Sequence, residues 1–298
     1  MDYKKIIKSR ELRRKILRFL SFVPDKAMLK LQYRLKTGRK LDLKHPKRFT
    51  EKLQWYKLNY KNPVLIQCVD KYDVREYIKS KGLGDILIPC YGIYCTPDDI
   101  DWSSLPNQFV MKDTLGGGGS SVILVKDKSK ANLDDLKRRA AEWTAINAHE
   151  KSDGREWPYY SGKDHRIIIE EYVDSEQSCG LLDYKFFCFG GKTEFLYVMG
   201  ERKVGERVKV RLMNRDFTQL PVLRVGDEDL GWVEKPANYD KMLAIAEKLS
   251  SDFPHVRVDL YNVDGKILFG ELTFYNASGY MLYDPDSFDL EMGKKFPI

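Results

Sequence analysis

His255-Val-Arg-Val-Asp-Leu-Tyr261 and Ile267-Leu-Phe-Gly-Glu-Leu-Thr273 are two short apolar-rich stretches on either side of a turn at Asn262-Val-Asp-Gly265, the pattern of a β-hairpin. Side chains alternate along a strand, so Val256, Val258 and Leu260 share one face while Arg257, Asp259 and Tyr261 share the other. On the second stretch Glu271 and Thr273 lie together. Asp259 and Glu271 meet on one face only if the connecting loop holds an odd number of residues. A two-residue Asp264-Gly265 turn would pair Asp259 with Gly270 and send Glu271 to the far side. A three- or five-residue loop, or a bulge, is therefore expected. Two carboxylates beside an arginine suit Mg²⁺ bridging phosphates, because carboxylate oxygens are its natural protein ligands. The same residues also suit a structural Arg–carboxylate network.

A second constellation lies upstream. Lys112-Asp-Thr-Leu-Gly-Gly-Gly-Gly-Ser-Ser121 follows the short strand Gln108-Phe-Val-Met-Lys112 and precedes the returning strand Val122-Ile-Leu-Val125. Glycines let successive backbone N–H groups converge on phosphate oxygens, hydroxyls add donors, and a strand-borne lysine can neutralise the same phosphates. The spacing is not that of a P-loop, and the glycines also suit a plain flexible turn. Between the two clusters, Ile167-Ile-Ile-Glu170-Glu171-Tyr-Val-Asp174 reads as an apolar strand ending in acids. Its backbone could meet a purine, and a strand-end acid the ribose.

The periodicities predict helices over 49–60, beginning with a Thr cap, over 70–81, over 133–148 capped by Asn132, and over 239–250. Strands are predicted over 86–94, 184–189, 193–199 and 206–212, which makes the body α+β with antiparallel pairing on both sides of residue 170.

Charge is distributed unevenly along the 298 residues. The first 50 hold 17 Lys or Arg against 4 Asp or Glu, a net +13, whereas the other 248 hold 34 against 40, a net −6. Within residues 8–24, Leu12, Ile16 and Phe19 fall at helical spacing beside a basic face. Such a helix can lie on an anionic membrane, pack on its own domain or meet an acidic polymer. No helix-turn-helix, finger or aromatic RNA-binding signature accompanies the charge, which disfavours nucleic acid. Cys68, Cys90, Cys95, Cys179 and Cys188 form no C-x-x-C pair, and no apolar leader is seen, so a reducing, cytoplasmic setting is expected.

The order Asp70-Lys71, Lys112 with its Gly/Ser loop, Glu170-Glu171, Arg257-x-Asp259 and Glu271 resembles the ATP-grasp fold of carboxylate–amine ligases. Residues 44–55, 69–77, 183–189, 253–259 and 269–274 further resemble the TupA-like branch, named for teichuronopeptide biosynthesis. The resemblance covers roughly residues 40–290. It implies two lobes clamping ATP, residues 66–169 and 170–298, preceded by a basic, mostly helical region over 1–65. It also implies that Lys71 and Lys112 contact nucleotide phosphates and that Gly116, Gly117, Gly118, Gly119, Ser120 and Ser121 close over them. Adenine would lie against Glu170, Glu171, Tyr172 and Val173, with Lys185 near the terminal phosphate or the ribose. Arg257, with Lys185 and Lys112, would serve catalysis, and Asp259, Glu271 and Thr273 would hold Mg²⁺. Thr273 stands where the general ATP-grasp pattern has Asn, with Asn276 three residues on. This leaves the number of metal ions open.

The implied reaction makes an acyl phosphate from ATP, which an amine such as an amino acid converts to an amide. A kinase acting on a sugar or polysaccharide precursor, or a glycosyltransferase, is the alternative. Ligases of this resemblance usually carry an α/β domain ahead of the clamp, whereas here a mostly helical, Lys/Arg-rich stretch of 70 residues precedes Lys71. Residues 34–48 are therefore expected to meet an anionic acceptor such as a uronic-acid polysaccharide or acidic peptide, and residues 1–50 to allow peripheral contact with the inner membrane face.

Overall fold

In the computed structural model the chain is described over residues 9–117, 121–174, 180–200 and 209–298, with backbone alone at residues 10, 11, 13 and 14. The elements in chain order begin with helices α1 (Arg10–Phe19), α2 (Asp25–Thr37), α3 (Phe49–Asn59), α4 (Val64–Val69) and α5 (Val74–Ser80). Strands β1 (Cys90–Tyr94), β2 (Phe109–Asp113) and β3 (Val122–Val125), helix α6 (Leu133–Thr144) and strand β4 (Ile167–Glu171) follow. Next come β5 (Asp183–Phe189), β6 (Lys192–Gly200), β7 (Lys209–Asn214), β8 (Leu223–Arg224) and β9 (Glu228–Asp229). The chain continues through α7 (Tyr239–Ser250), β10 (His255–Val263), β11 (Lys266–Thr273), β12 (Tyr283–Asp284) and α8 (Ser287–Lys295). Residues 206–208 of the strand expected at 206–212 lie outside the described residues.

Two units result, each assembled from separated stretches. One comprises Pro63–Glu150 and Pro158–Ser175 and carries a four-stranded sheet of order β1-β4-β2-β3. Its core gathers Phe109, Met111, Ile167 and Ile169 from one sheet face with Leu136, Ala140 and Trp143 of α6. Asn132 caps that helix by accepting from the Asp135 amide at 3.0 Å. The helix expected over 70–81 is shorter because Asp70 Oδ1 accepts from the amides of Tyr72 and Asp73 at 2.9 Å, holding those residues in a turn.

The other unit comprises Met1–Asn62, Lys151–Trp157 and Glu176–Ile298 and carries a six-stranded sheet of order β11-β10-β5-β6-β7-β9. Helix α7 covers the face of Val256, Val258 and Leu260. All three are fully buried, and Phe186 on that face stacks on Tyr239. The opposite face is divided. Its aromatic part, with Phe187 and Phe189, receives Phe49 of α3 and Phe296 beyond α8, while its polar part carries Asp183, Lys185 and Asp259. Thr50 does not cap α3. It is buried inside the helix, donating its amide (3.0 Å) and its hydroxyl (2.8 Å) to Asp289 of α8. Glu51 reaches back instead to the amides of Lys47 and Arg48 at 2.9 and 3.1 Å.

His255 is fully buried among the rings of Phe49, Phe187, Phe189 and Phe296, with centroids 4.7–6.4 Å away. Its Nδ1–H donates to the Cys188 carbonyl at 2.8 Å, while Nε2 has no hydrogen-bond partner among the described residues. Burial pushes the imidazole down from 6.5 to about 3. The unfolded chain therefore takes up a proton that the folded chain refuses. The His255 contribution to stability is fully present above pH 6.5 and is lost progressively as the pH drops toward 3. Urea titrations of wild type and His255→Phe at pH 4, 5, 6 and 8 should show a flatter acid limb for the variant. Parallel limbs would assign the acid sensitivity to other groups.

Candidate active site

The β10–β11 hairpin closes with a two-residue turn, Asp264 and Gly265 both at positive φ, and pairs Val263 with Lys266. That register alone would separate the two acids. A bulge restores them: Leu260 pairs with Phe269 but Asp259 pairs with Glu271, leaving Gly270 as the extra residue. Of the expected alternatives, the structure uses the bulge. A Cβ at Gly270 would lie 3.1 Å from the Asp259 carbonyl oxygen and 3.4 Å from its Cβ, so a larger residue would crowd Asp259 where the bulged strand approaches it.

On this face Arg257 donates from Nε and Nη2 to the two Asp259 oxygens, each at 2.6 Å, and from Nη2 to Glu271 at 2.6 Å. Lys185 pairs with Asp259 and, at 2.7 Å, with Asp183. Asp259 and Arg257 are 1% and 8% exposed, whereas the Glu271 side chain is 44% exposed. Burial pushes the Asp259 carboxyl up, while the charges of Arg257 and Lys185 pull it down. Burial also opposes the Arg257 charge, but Asp259 and Glu271 outweigh it and raise the guanidinium. Two cations against three carboxylates leave the cluster one negative charge in excess, which favours a further cation.

Mg²⁺ suits this donor set. The ion commonly takes one or two carboxylates and completes its octahedron with phosphate and water oxygens. Asp259 and Glu271 stand opposite each other as such a pair. Among the described residues no group of three or more His, Cys, Asp or Glu is arranged for a metal, so phosphate and water would supply most of the shell. The Thr273 hydroxyl donates to Glu271 at 2.9 Å. Asn276 accepts from Arg257 through its amide oxygen, while its buried Nδ2 has no hydrogen-bond partner among the described residues.

In the four-stranded unit, Lys112 emerges on the face opposite the α6 core and pairs with Glu170 at 2.6 Å. Arg75 holds the other Glu170 oxygen at 3.3 Å. Lys71 points its amine at the carbonyls of Asp113, Thr114 and Gly116, fastening the entry to the glycine loop. Asp113 accepts from the Leu115 amide at 3.0 Å and from His165 Nδ1 at 2.8 Å. Its own amide donates to the Ser121 carbonyl at 3.0 Å, closing the base of the loop. Behind it, Arg166 binds Asp70 at 3.0 Å and Asp73 at 2.8 Å. Burial notwithstanding, Arg166 and Lys163 hold the Asp73 carboxyl below its usual value.

Gly116, Gly117 and Ser121 fall on the loop as expected, while Gly118, Gly119 and Ser120 lie outside the described residues. Glu170 is buried at the end of β4, Glu171 is exposed, and Tyr172 and Val173 are half-buried just beyond the strand. Asp183, Arg75, Asp113 and His165 were not singled out in the sequence. Asp183 carried a readable signal, since it lies two residues before Lys185 on one strand and so shares its face. Of the basic residues in 34–48, Arg39 and Arg48 are committed to Asp286 and lie close to Asp289, so they serve to fasten the helical region to α8.

A family model described as TupA-like ATPgrasp matches residues 51–297. Among solved structures, a D-alanine–D-alanine ligase from Bacillus anthracis is 19% identical with a TM-score of 0.41, over 70% of this chain and 57% of that one. The biotin carboxylase domain of Hydrogenobacter thermophilus 2-oxoglutarate carboxylase is 15% identical with a TM-score of 0.43, over 71% and 40% of the two chains. N5-carboxyaminoimidazole ribonucleotide synthetase from Thermus thermophilus is 14% identical with a TM-score of 0.39, over 71% and 46%. The chain thus spans 40–57% of the length of these three. No curated protein matches it.

Proposed function

The chain belongs to the TupA-like ATP-grasp family, and from that premise we propose that it is an ATP-dependent carboxylate–amine ligase. Its acceptor would be a carboxylate of an anionic surface-polymer precursor, such as a uronic-acid polysaccharide or acidic peptide, and its donor an amine such as an amino acid. The observation that carries the reading is Arg257 joined at once to Asp259 and Glu271 by the bulge at Gly270.

A carboxylate oxygen of the acceptor attacks the γ-phosphorus of ATP, and the bond to the bridging oxygen breaks to release ADP. The amine then attacks the acyl carbon, inorganic phosphate leaves, and the nitrogen loses a proton. Both steps need alignment and charge neutralisation, and neither needs a protein nucleophile. Mg²⁺, held by Asp259 and Glu271, would screen the phosphate charges. Asp259 orients the Arg257 guanidinium toward the transferred phosphoryl group, and the orphan Asn276 amide adds a donor beside it. Lys112, Lys71 and the backbone of the glycine loop would neutralise the remaining phosphates, with Lys71 also fastening the loop's entry through the carbonyls of Asp113 and Gly116. The backbone after Glu170 would accommodate the adenine.

Hydroxylamine separates this reading from phosphoryl transfer to an alcohol. With Mg-ATP, a uronic-acid polymer or acidic peptide, and hydroxylamine, the protein should release ADP and yield an acyl hydroxamate detectable by mass. ADP release with a stable phosphorylated product, and no hydroxamate, would make it a kinase. Gly270→Val should lower turnover ~10–100-fold by displacing Asp259, with a smaller effect on melting temperature. Wild-type turnover in that variant would remove the bulge from the mechanism.

A further inference from the structure

We propose that the elbow between α1 and α2 docks the protein on an anionic lipid surface. Leu12, Ile16 and Phe19 occupy positions i, i+4 and i+7 of α1, and they are 49%, 36% and 78% exposed. The apolar stripe therefore faces solvent, not the body of its own unit. Phe22, 74% exposed, packs edge-to-face on Phe19 with centroids 6.3 Å apart.

Helix α2 also carries an exposed apolar and basic face. Met28, Leu29, Gln32 and Tyr33 are buried, while Leu31 and Leu35 are 49% and 46% exposed beside the exposed Lys26, Lys30 and Arg34. Apolar side chains flanked by long basic ones match a bilayer surface. The rings and aliphatic groups enter the acyl boundary while the cationic heads stay among the phosphates. The net +13 of the first 50 residues, against −6 elsewhere, gives the charge complementarity to anionic headgroups.

The elbow is also built to hold its shape. Arg155, 3% exposed, donates to the carbonyls of Leu20 at 2.8 Å and Val23 at 3.1 Å and to Asp25 at 2.9 Å. Lys151 adds a second ion pair to Asp25 at 2.9 Å. One buried guanidinium thus fixes the end of α1 to the start of α2, so the Phe19–Phe22 pair sits on a braced corner. No helix among the described residues is long and apolar enough to cross a membrane, which fits attachment in the interfacial plane.

Cosedimentation of the full chain with phosphatidylcholine vesicles, with and without phosphatidylglycerol, tests this at low and high salt. Binding is expected only with the anionic lipid and should weaken as salt rises, since exposed attractions are screened within ~8 Å at physiological ionic strength. Phe19→Ser/Phe22→Ser and, separately, Lys26→Glu/Lys30→Glu should each reduce the bound fraction ~10-fold or more with wild-type melting temperatures. Three results would overturn the proposal. The first is no binding to anionic vesicles, or binding indifferent to both double variants. The second is a dimer in sedimentation analysis that Phe19→Ser/Phe22→Ser abolishes, which gives the face to a second copy. The third is retention by a uronic-acid polymer but not by vesicles.

Discussion

Replacing Arg257 with alanine should lower turnover by about three orders of magnitude and fold stability by about 3–5 kcal/mol. The catalytic loss follows from its position. One guanidinium spans Asp259, Glu271 and Asn276, and no other arginine is hydrogen-bonded to Asp259 among the described residues. The stability loss has a separate cause. Without Arg257, Asp259 at 1% exposure keeps only Lys185 as a cationic partner among the described residues, and Asp183, Asp259 and Glu271 then face one ammonium. Arg257→Lys separates the two effects. A lysine restores the charge but cannot donate twice to Asp259 while also reaching Glu271, because an ammonium lacks the planar fork. It should recover most of the melting temperature and little of the turnover. Calorimetric melting and ADP release measured on both variants check this. A folded Arg257→Ala protein with wild-type turnover would return the cluster to a purely structural role.

The contrast between hairpin and lysines explains what could be read in advance. Alternation along β10 and β11 depends on neighbouring residues only, so the two-faced character of 255–261 and 267–273 was legible, as was the conflict between a two-residue turn and the pairing of Asp259 with Glu271. That conflict had three remedies. The structure takes the bulge, a choice visible only in the pairing across the two strands. Long-range partners were not legible. Thr50 finds Asp289 across 239 residues of sequence, so a hydroxyl that looked like a cap became a buried tie. Lys71 meets carbonyls more than forty residues away, which nothing local to Asp70-Lys71 announces. The bounds of helix α2, within the region expected to be mostly helical, are not legible because Leu31 and Leu35 lie outside its buried side and blur the apolar period.

Lys112→Ala should weaken Mg-ATP binding ~10–100-fold, the usual range for losing one charge-assisted phosphate contact. The competing account is that Lys112 exists to neutralise the buried Glu170. Both accounts begin from the same 2.6 Å ion pair and diverge in what they say of its partner. Glu170 also holds Arg75 at 3.3 Å, so removing the Lys112 amine leaves that carboxylate paired and the strand pairing of β2 with β3 and β4 intact. A structural lysine should therefore lower the melting temperature without touching nucleotide affinity. A phosphate-binding lysine should do the reverse, because its charge is missed only when ATP arrives. Glu170→Gln sharpens the choice. It frees Lys112 from its acid while keeping a side chain of similar shape, so nucleotide affinity should fall far less than in Lys112→Ala. Isothermal titration of Mg-ATP into the three proteins, with melting curves alongside, reads both quantities. Equal affinities for wild type and a folded Lys112→Ala protein would remove this lysine from the nucleotide site and leave the glycine loop to bind phosphate through its backbone alone.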